Sequence, residues 1–481
     1  MSETSLTLLI FILAFGGMVI IHEFGHFIVA RWCKIEVEEF GVGLPTPGAL
    51  TLWINKGHLL LDDGGRIEIP YNFKLPVNWN ALIDHQVKIT VDRVNDGSVL
   101  RSIEVIRPDD PKRYPSSRFE VGDIYVDQNG NVVQPQENAG QSASPKVIKA
   151  GKKTGEVELV DVVTEVHPGT RFTLNWLPLG GFVRPKGEND PNVPGGLAAA
   201  NPWARLAVLF AGPLMNLLTA VVIYSFIFAR VGVPDTNRVL VASVVAGGPA
   251  AQAGFQNNDI FVSGNGTPIR SYDDLRAIVD ANDGKPVTFV LDRSGEEVQL
   301  TATPRMNETE KRVMIGVGLD VPFKPTTSFV ESLNQGTRYT YLNIRALLSL
   351  PAQLIRGSLA PEQGRLVGLK GIYDIMHQTV TSDLEAGETP ASSPTASPFG
   401  QMRTLLVIAS LSISLGVFNL FPFPALDGGR ILFVLPELIF RRRVSPQLET
   451  LVHGLGMAVL LAFMVYVNVM DFVDPIAVTI P

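Results

Sequence analysis

From Ser5 to Ile21 the chain carries no charged side chain, and the apolar run then leads into His22-Glu23-Phe24-Gly25-His26. Phe27 to Ala30 continue it before Arg31 closes it. About 20 mostly apolar residues cross a bilayer, so residues 1–34 predict a transmembrane helix with three ionisable side chains inside it. Ionisable groups at that depth are costly and mark function. Helical positions four apart share a face, so His22 and His26 point at one metal ion. Glu23 is then placed as a general base toward a metal-activated water. A merely structural trio would need partners for every polar group with no gain in stability. The motif reads as a hydrolytic zinc centre within a membrane.

The rest of the chain fits that setting. Its 481 residues carry a net charge of -7, and positive mean hydropathy suits a membrane protein with sizeable soluble parts. Leu206 to Ala229, Leu405 to Phe423 and Leu455 to Met470 are further uncharged runs, predicting spans over 203–230, 401–430 and 450–472. The first run does not read as a signal peptide, because Glu3 precedes it without Lys or Arg and no small-residue cleavage site comes before the His motif. A single Cys33 excludes an intrachain disulfide. The lipid bilayer is the expected environment, and no nucleic-acid partner is expected. Arg31 with Lys34, and Arg441-Arg442-Arg443, mark cytosolic ends by the positive-inside rule, which places both termini outside.

Between the first two spans, residues 35–183 read as a membrane-associated β-loop split by a β-rich cytosolic insertion over about 46–168. Val87-Lys88-Ile89-Thr90-Val91 and Glu156 to Val160 alternate as strands do, with turns at Asp63-Gly64-Gly65, Asn95-Asp96-Gly97 and Asn129-Gly130-Asn131. The middle, Pro135 to Lys153, is polar. Glu39 to Gly43 and Thr173 to Val183 read as a β-hairpin meeting at Pro178-Leu179-Gly180-Gly181, whose edge offers pairing to an extended substrate. Residues 235–320 resemble a PDZ domain of the circularly permuted bacterial type, opened by Gly247-Gly248, with a helix over Tyr272 to Ala281. Residues 328–382 read as interfacial amphipathic helices, and 383–400 as a flexible linker.

Two His leave a catalytic zinc one protein ligand short. Glu36, Glu38 and Glu39 follow His26 too closely and lie beyond the membrane exit. Asp427, in Asn419 to Arg430, is the better candidate: Pro422 and Pro424 break the helix before it, and Gly428-Gly429 permit a sharp turn after it.

Three motifs in order, His22 to His26, Ala211-Gly212-Pro213-Leu214-Met215-Asn216, and Asn419 to Arg430, resemble the site-2 protease family of intramembrane zinc metalloproteases, closest to its bacterial regulator of sigma-E protease group. Pro178 to Val183 resembles that group's membrane-reentrant β-loop. The resemblance implies Zn2+ held by His22, His26 and Asp427, with Glu23 as base. It implies that Asn419, and less directly Asn216, contact the substrate backbone or oxyanion, with Gly180 and Gly181 in the substrate-binding loop. It further implies single-span membrane protein substrates, trimmed outside and then cut within the bilayer of a bacterial inner membrane. The chain departs from the group in its long insertion, in its single visible PDZ-like unit, and at Val367 to Gly371, where a Gly-Pro pair is usual.

The expected fold is a polytopic α-helical membrane protein with four transmembrane helices, a membrane-associated β-hairpin, a β-rich insertion and a PDZ-like α/β domain. The competing function is a non-catalytic membrane protein that holds or transports zinc and docks partners through the PDZ-like unit. Transport predicts His or Asp along several spans, whereas His58, His85, His167, His377 and His453 mostly lie outside them. Glu23 separates the readings, since only a protease needs it as a base.

Overall fold

The computed structural model describes residues 2–73, 82–94, 97–105, 125–126, 132–133, 146–150, 156–307, 311–357, 366–388 and 399–474. Its helices are α1 (Glu3–Trp32), α2 (Pro202–Val231), α3 (Pro249–Ala253), α4 (Tyr272–Asp280), α5 (Phe329–Ile355), α6 (Leu369–Glu388), α7 (Arg403–Asn419), α8 (Asp427–Phe440) and α9 (Pro446–Val473). α1, α2 and α9 are long and apolar enough to cross a membrane. α7 is apolar but has only 17 residues, about 26 Å at 1.5 Å per residue, against a hydrocarbon core of about 30 Å.

The single helix expected over 401–430 is therefore corrected to two. Pro422 and Pro424 lack the amide that a continuing helix needs, and Ala425 adopts φ 80°. α8 begins at Asp427. A Cβ at Gly428 would meet Phe421 O at 2.2 Å, and one at Gly429 would meet Phe423 O at 2.3 Å, so the turn closes only on glycine.

The chain divides into two compact units, one comprising residues 12–215 with 420–457, the other residues 1–11, 216–419 and 458–481. The first unit contains β1 (Val37–Leu44), β2 (Leu50–Ile54), β3 (Gly57–Leu61), β4 (Arg66–Ile69), β5 (Gln86–Val94), β6 (Gly97–Val105), β7 (Tyr125–Val126), β8 (Val132–Val133), β9 (Lys146–Ala150), β10 (Glu156–His167), β11 (Arg171–Leu174) and β12 (Leu177–Pro185). The expected pairing is present as an antiparallel ladder of β1 with β12, Phe40 opposite Val183 and Val42 opposite Gly181, within a four-stranded sheet in the order β12-β1-β11-β2. β11 and β12 lie on opposite sides of β1 and are joined through Asn175 and Trp176, so Gly180-Gly181 falls within β12 and not at a turn. The Asn175 side chain accepts the Thr46 amide at 3.1 Å and donates to Val42 O at 3.2 Å. β12 is left as an edge. Glu39, buried on β1, binds the strands together by accepting from Arg171 at 2.8 Å and Thr173 at 2.9 Å, with Arg184 at 3.1 Å.

In the insertion, β3-β4-β6-β5-β10 closes on itself through a β3–β10 pairing, with β9 added outside β10. The alternation seen in sequence supplies its core: Leu59, Leu61, Ile67, Ile69, Val87, Ile89 and Val91 face inward with Val157, Leu159 and Val163. The Asp63 carboxylate accepts the Gly65 amide at 2.7 Å in the first turn. Asn95-Asp96, the turn at Asn129-Gly130-Asn131 and, apart from β9, the polar stretch 135–153 lie outside the described residues.

The second unit holds β13 (Val233–Pro234), β14 (Val239–Val244), β15 (Ile260–Gly264), β16 (Thr267–Pro268), β17 (Val287–Arg293), β18 (Glu296–Ala302), β19 (Arg305–Asn307), β20 (Arg312–Met314), β21 (Val317–Asp320) and β22 (Phe323–Lys324). The main sheet runs β18-β17-β15-β14-β21, leaving β21 at an edge. Leu275 and Val279 of α4 join Phe255, Phe261 and Phe289 in its core. The unusual Val367 to Gly371 stretch enters α6: buried Asp471 of α9 accepts the Gly368 and Gly371 amides at 2.8 and 3.0 Å, satisfying donors at a helix start. Asp383, expected in a linker, lies in α6 and caps α7 by accepting the Arg403 and Thr404 amides, both at 3.0 Å. Residues 389–398 of that linker lie outside the described residues.

Candidate metal centre and substrate edges

α1 presents His22 and His26 on one face, and α2 passes close beside it. Gly25 and Gly212 permit the approach. A Cβ at Gly25 would stand 2.5 Å from Ala211 O, and one at Gly212 would stand 2.3 Å from His26 Nε2 and 2.8 Å from His22 Nε2. His26 Nδ1 lies 2.7 Å from Val208 O. Donation there fixes the Nδ1–H tautomer and leaves the Nε2 lone pair facing inward. His22 Nε2 lies 3.1 Å from His26 Nε2. From α8, Asp427 Oδ2 stands 3.1 Å from His22 Nε2 and 3.4 Å from His26 Nε2.

These donors suit zinc on chemical grounds. Two imidazole nitrogens and a carboxylate oxygen are a catalytic zinc set, and at bond lengths near 2.1 Å tetrahedral ligands sit about 3.4 Å apart. The observed spacings of 3.1 to 3.4 Å fall at that separation. Among the described residues this trio is the group of His and carboxylate side chains close enough to share an ion. The Gly212 cradle keeps the space between them open.

α8 is anchored so that Asp427 reaches this point. Arg430 pairs with Glu188, and Arg205 of α2 donates to Glu437 at 2.7 Å. Leu209 of α2 packs with Ile431 and Val434.

Glu23 projects toward β12. Its Oε2 accepts the Val183 amide at 3.0 Å. A Cβ at Gly181 would be 3.7 Å from Glu23 Cγ, and one at Gly180 would be 3.6 Å from Val19 Cγ1. The edge strand thus runs along α1 beside the proposed base. Asn216 is fully buried in α2, its carbonyl accepting from Ser412 at 2.8 Å. Asn419 ends α7. Both belong to the second compact unit.

One feature escaped the sequence reading. In the PDZ-like unit, α4 and β21 line a groove of about 280 Å³ with Leu275, Arg276, Arg312, Ile315, Val317 and Leu319. Gly316 at its end has φ 82°. In the sequence it is marked by Ile315-Gly316-Val317-Gly318 and not by Gly247-Gly248.

The sequence is similar to those of known proteins. The sequence model of peptidase family M50 covers residues 10–56 and 157–463, passing over most of the insertion. The chain is 25% identical to "Zinc metalloprotease RasP" of Geobacillus kaustophilus, over 97% of this chain and 98% of that one. It is 27% identical to "Probable protease eep" of Enterococcus faecalis, over 96% and 97%, and 29% identical to "Metalloprotease MmpA" of Caulobacter vibrioides, over 62% and 81%. It is also similar to a PDZ domain structure from Listeria monocytogenes, with 19% identity over 17% of this chain and 87% of that one and a TM-score of 0.16. With a family match over both the His-bearing and the Asp-bearing helices, the chain belongs to peptidase family M50, the site-2 protease family, and is a multi-pass membrane zinc metalloprotease.

Proposed function

We propose that this chain cuts peptide bonds within the membrane segment of single-span proteins already trimmed outside the membrane, using His22, His26 and Asp427 as zinc ligands and Glu23 as general base. The observation that carries the reading is the convergence of two Nε2 atoms and Oδ2 within 3.4 Å, one residue from a carboxylate held against an open strand edge. A bound zinc supplies Lewis acidity, polarising the scissile carbonyl and acidifying water. The Val183 amide holds Glu23 Oε2, leaving Oε1 to take the proton from the attacking water and pass it to the leaving amine. β12 has already given the Val183 amide to Glu23, so an extended substrate pairs earlier along the edge, at Gly180-Gly181. Asn419 and Asn216 contact the substrate backbone or oxyanion. α7 with the turn after it completes a fourth crossing, and both termini lie outside a bacterial inner membrane.

Glu23→Gln should retain zinc while cleavage of a detergent-solubilised single-span substrate falls by at least about 10³-fold, at the upper end of what general-base loss removes. Asp427→Ala should lower zinc occupancy. Zinc lost from Glu23→Gln, or kept in full by Asp427→Ala, would overturn the assigned roles.

A further inference from the structure

α9 contributes no side chain to the proposed ligand set, yet its N-terminal half is built against the turn that carries one ligand. His453 and Gly456 lie three apart and so share a helical face. His453 Nδ1 accepts the Ala425 amide at 2.9 Å. A Cβ at Gly456 would stand 2.3 Å from Pro424 Cβ, so the helix backbone lies directly on the proline. Ala425 has φ 80°, a left-handed conformation that strains a residue with a Cβ. Leu426 then starts α8 with no side-chain cap, and Asp427 follows. Within the turn, Phe423 bonds to Phe421 O and Leu426 to Phe423 O, while the two prolines offer no donor. The Ala425 amide ties this turn to a neighbouring helix.

The histidine is an odd choice for packing alone. Accepting at Nδ1 fixes the neutral ring as its Nε2–H tautomer. That Nε2 is buried and has no hydrogen-bond partner among the described residues. The ring leans on Phe433 at 5.4 Å, a contact any aromatic residue makes. A side chain that leaves one buried donor unmet to satisfy one backbone amide adds little net stability.

We propose that His453 is a positioning residue for the metal site, fixing Ala425 and thereby aiming the Asp427 carboxylate at His22 and His26. The inference rests on Asp427 being a zinc ligand. Groups behind the ligands commonly set metal affinity, and their loss costs about 10–100-fold.

The test uses the full-length protein in detergent, carrying His453→Leu, His453→Gln or Asp427→Ala. Zinc affinity is measured by chelator competition, and the ligand field by the visible spectrum of the cobalt-substituted protein. The leucine variant should bind zinc about 10–100-fold more weakly with an altered cobalt spectrum, while its thermal unfolding stays near that of the parent. The glutamine variant, whose carbonyl can accept the Ala425 amide, should recover most of the affinity and the parental spectrum. Equal affinity in the leucine and glutamine variants, or a parental spectrum in both, would overturn the positioning role. Asp427→Ala separates the two levels: metal loss there beside an unaffected leucine variant sinks only the role of His453, whereas full metal retention sinks the ligand assignment itself.

Discussion

At Gly212 the backbone of one apolar helix faces two imidazoles of another with no side chain between them. Gly212→Ala would place a methyl 2.3 Å from His26 Nε2, and a residue that displaces a reacting group by about 1 Å can lower rate by about 10²-fold. We expect such a loss of cleavage together with weakened zinc binding, read by metal analysis of the purified protein. Parental activity and zinc content would mean that α2 shifts to admit the methyl. His22, Glu23 and His26 were legible in the sequence because helical periodicity alone puts the two imidazoles on one face. Asp427 was legible as a carboxylate beside helix breakers. Gly212 entered only as part of a motif, because what it does depends on how closely two distant helices approach. His453 is marked by no local pattern, since its partner is a backbone amide 28 residues away.

At the scale of elements, local chemistry and the pairing of β1 with β12 were legible, and the strands added on the other side of β1 were not. Alternating Val and Ile residues announced the strands of the insertion, and the Asp63-Gly64-Gly65 turn announced a reversal. That β11 intervenes between β1 and β2, extending that pair into a sheet, follows from long-range registers such as Phe40↔Phe172 that no local pattern encodes. One junction of these elements is pH-sensitive. His58 on β3 stacks on His167 of β10 with ring centres 4.2 Å apart. Burial, then the charge of His167 and of Arg66 and Lys186, outweighs Glu36 and depresses His58 from 6.5 to about 4. The folded protein therefore resists protonation that the unfolded chain accepts. Stability contributed by neutral His58 is complete above 6.5 and declines as pH falls toward about 4. Thermal unfolding of the full-length protein should show its insertion-linked transition dropping over that window, and His58→Gln should flatten the drop. An unchanged slope in that variant would assign the effect elsewhere; Glu36, which His167 and Lys186 hold below the usual carboxylate range against the upward push of burial, loses its contribution only below 4.5.

At the scale of the whole molecule, three of the four long apolar runs fall in helices long and apolar enough to cross a membrane, and charge clusters at their ends suggested an orientation. The break at Asn419 to Asp427 was legible in Pro422 and Pro424, but the start of a second helix after it was not, because apolar composition continues across them. The PDZ-like unit gives a further prediction. Its groove between α4 and β21 combines apolar residues such as Leu275 and Ile315 with Arg276, Arg312, Asp273 and Asp280, a mixed lining that can take up a freshly generated chain end. Deleting residues 239–320 should leave zinc bound, since all three proposed ligands lie in the other compact unit, while abolishing dependence on prior trimming or weakening substrate capture. Unchanged cleavage and unchanged dependence would move substrate choice to the insertion. The separation of His26 from Asp427 along the chain has a consequence for biogenesis. The imidazole pair leaves the ribosome about four hundred residues before the carboxylate that faces it, about 20–80 s at common rates of synthesis. Throughout that interval the nascent protein holds the two histidines without the carboxylate proposed to complete their metal site.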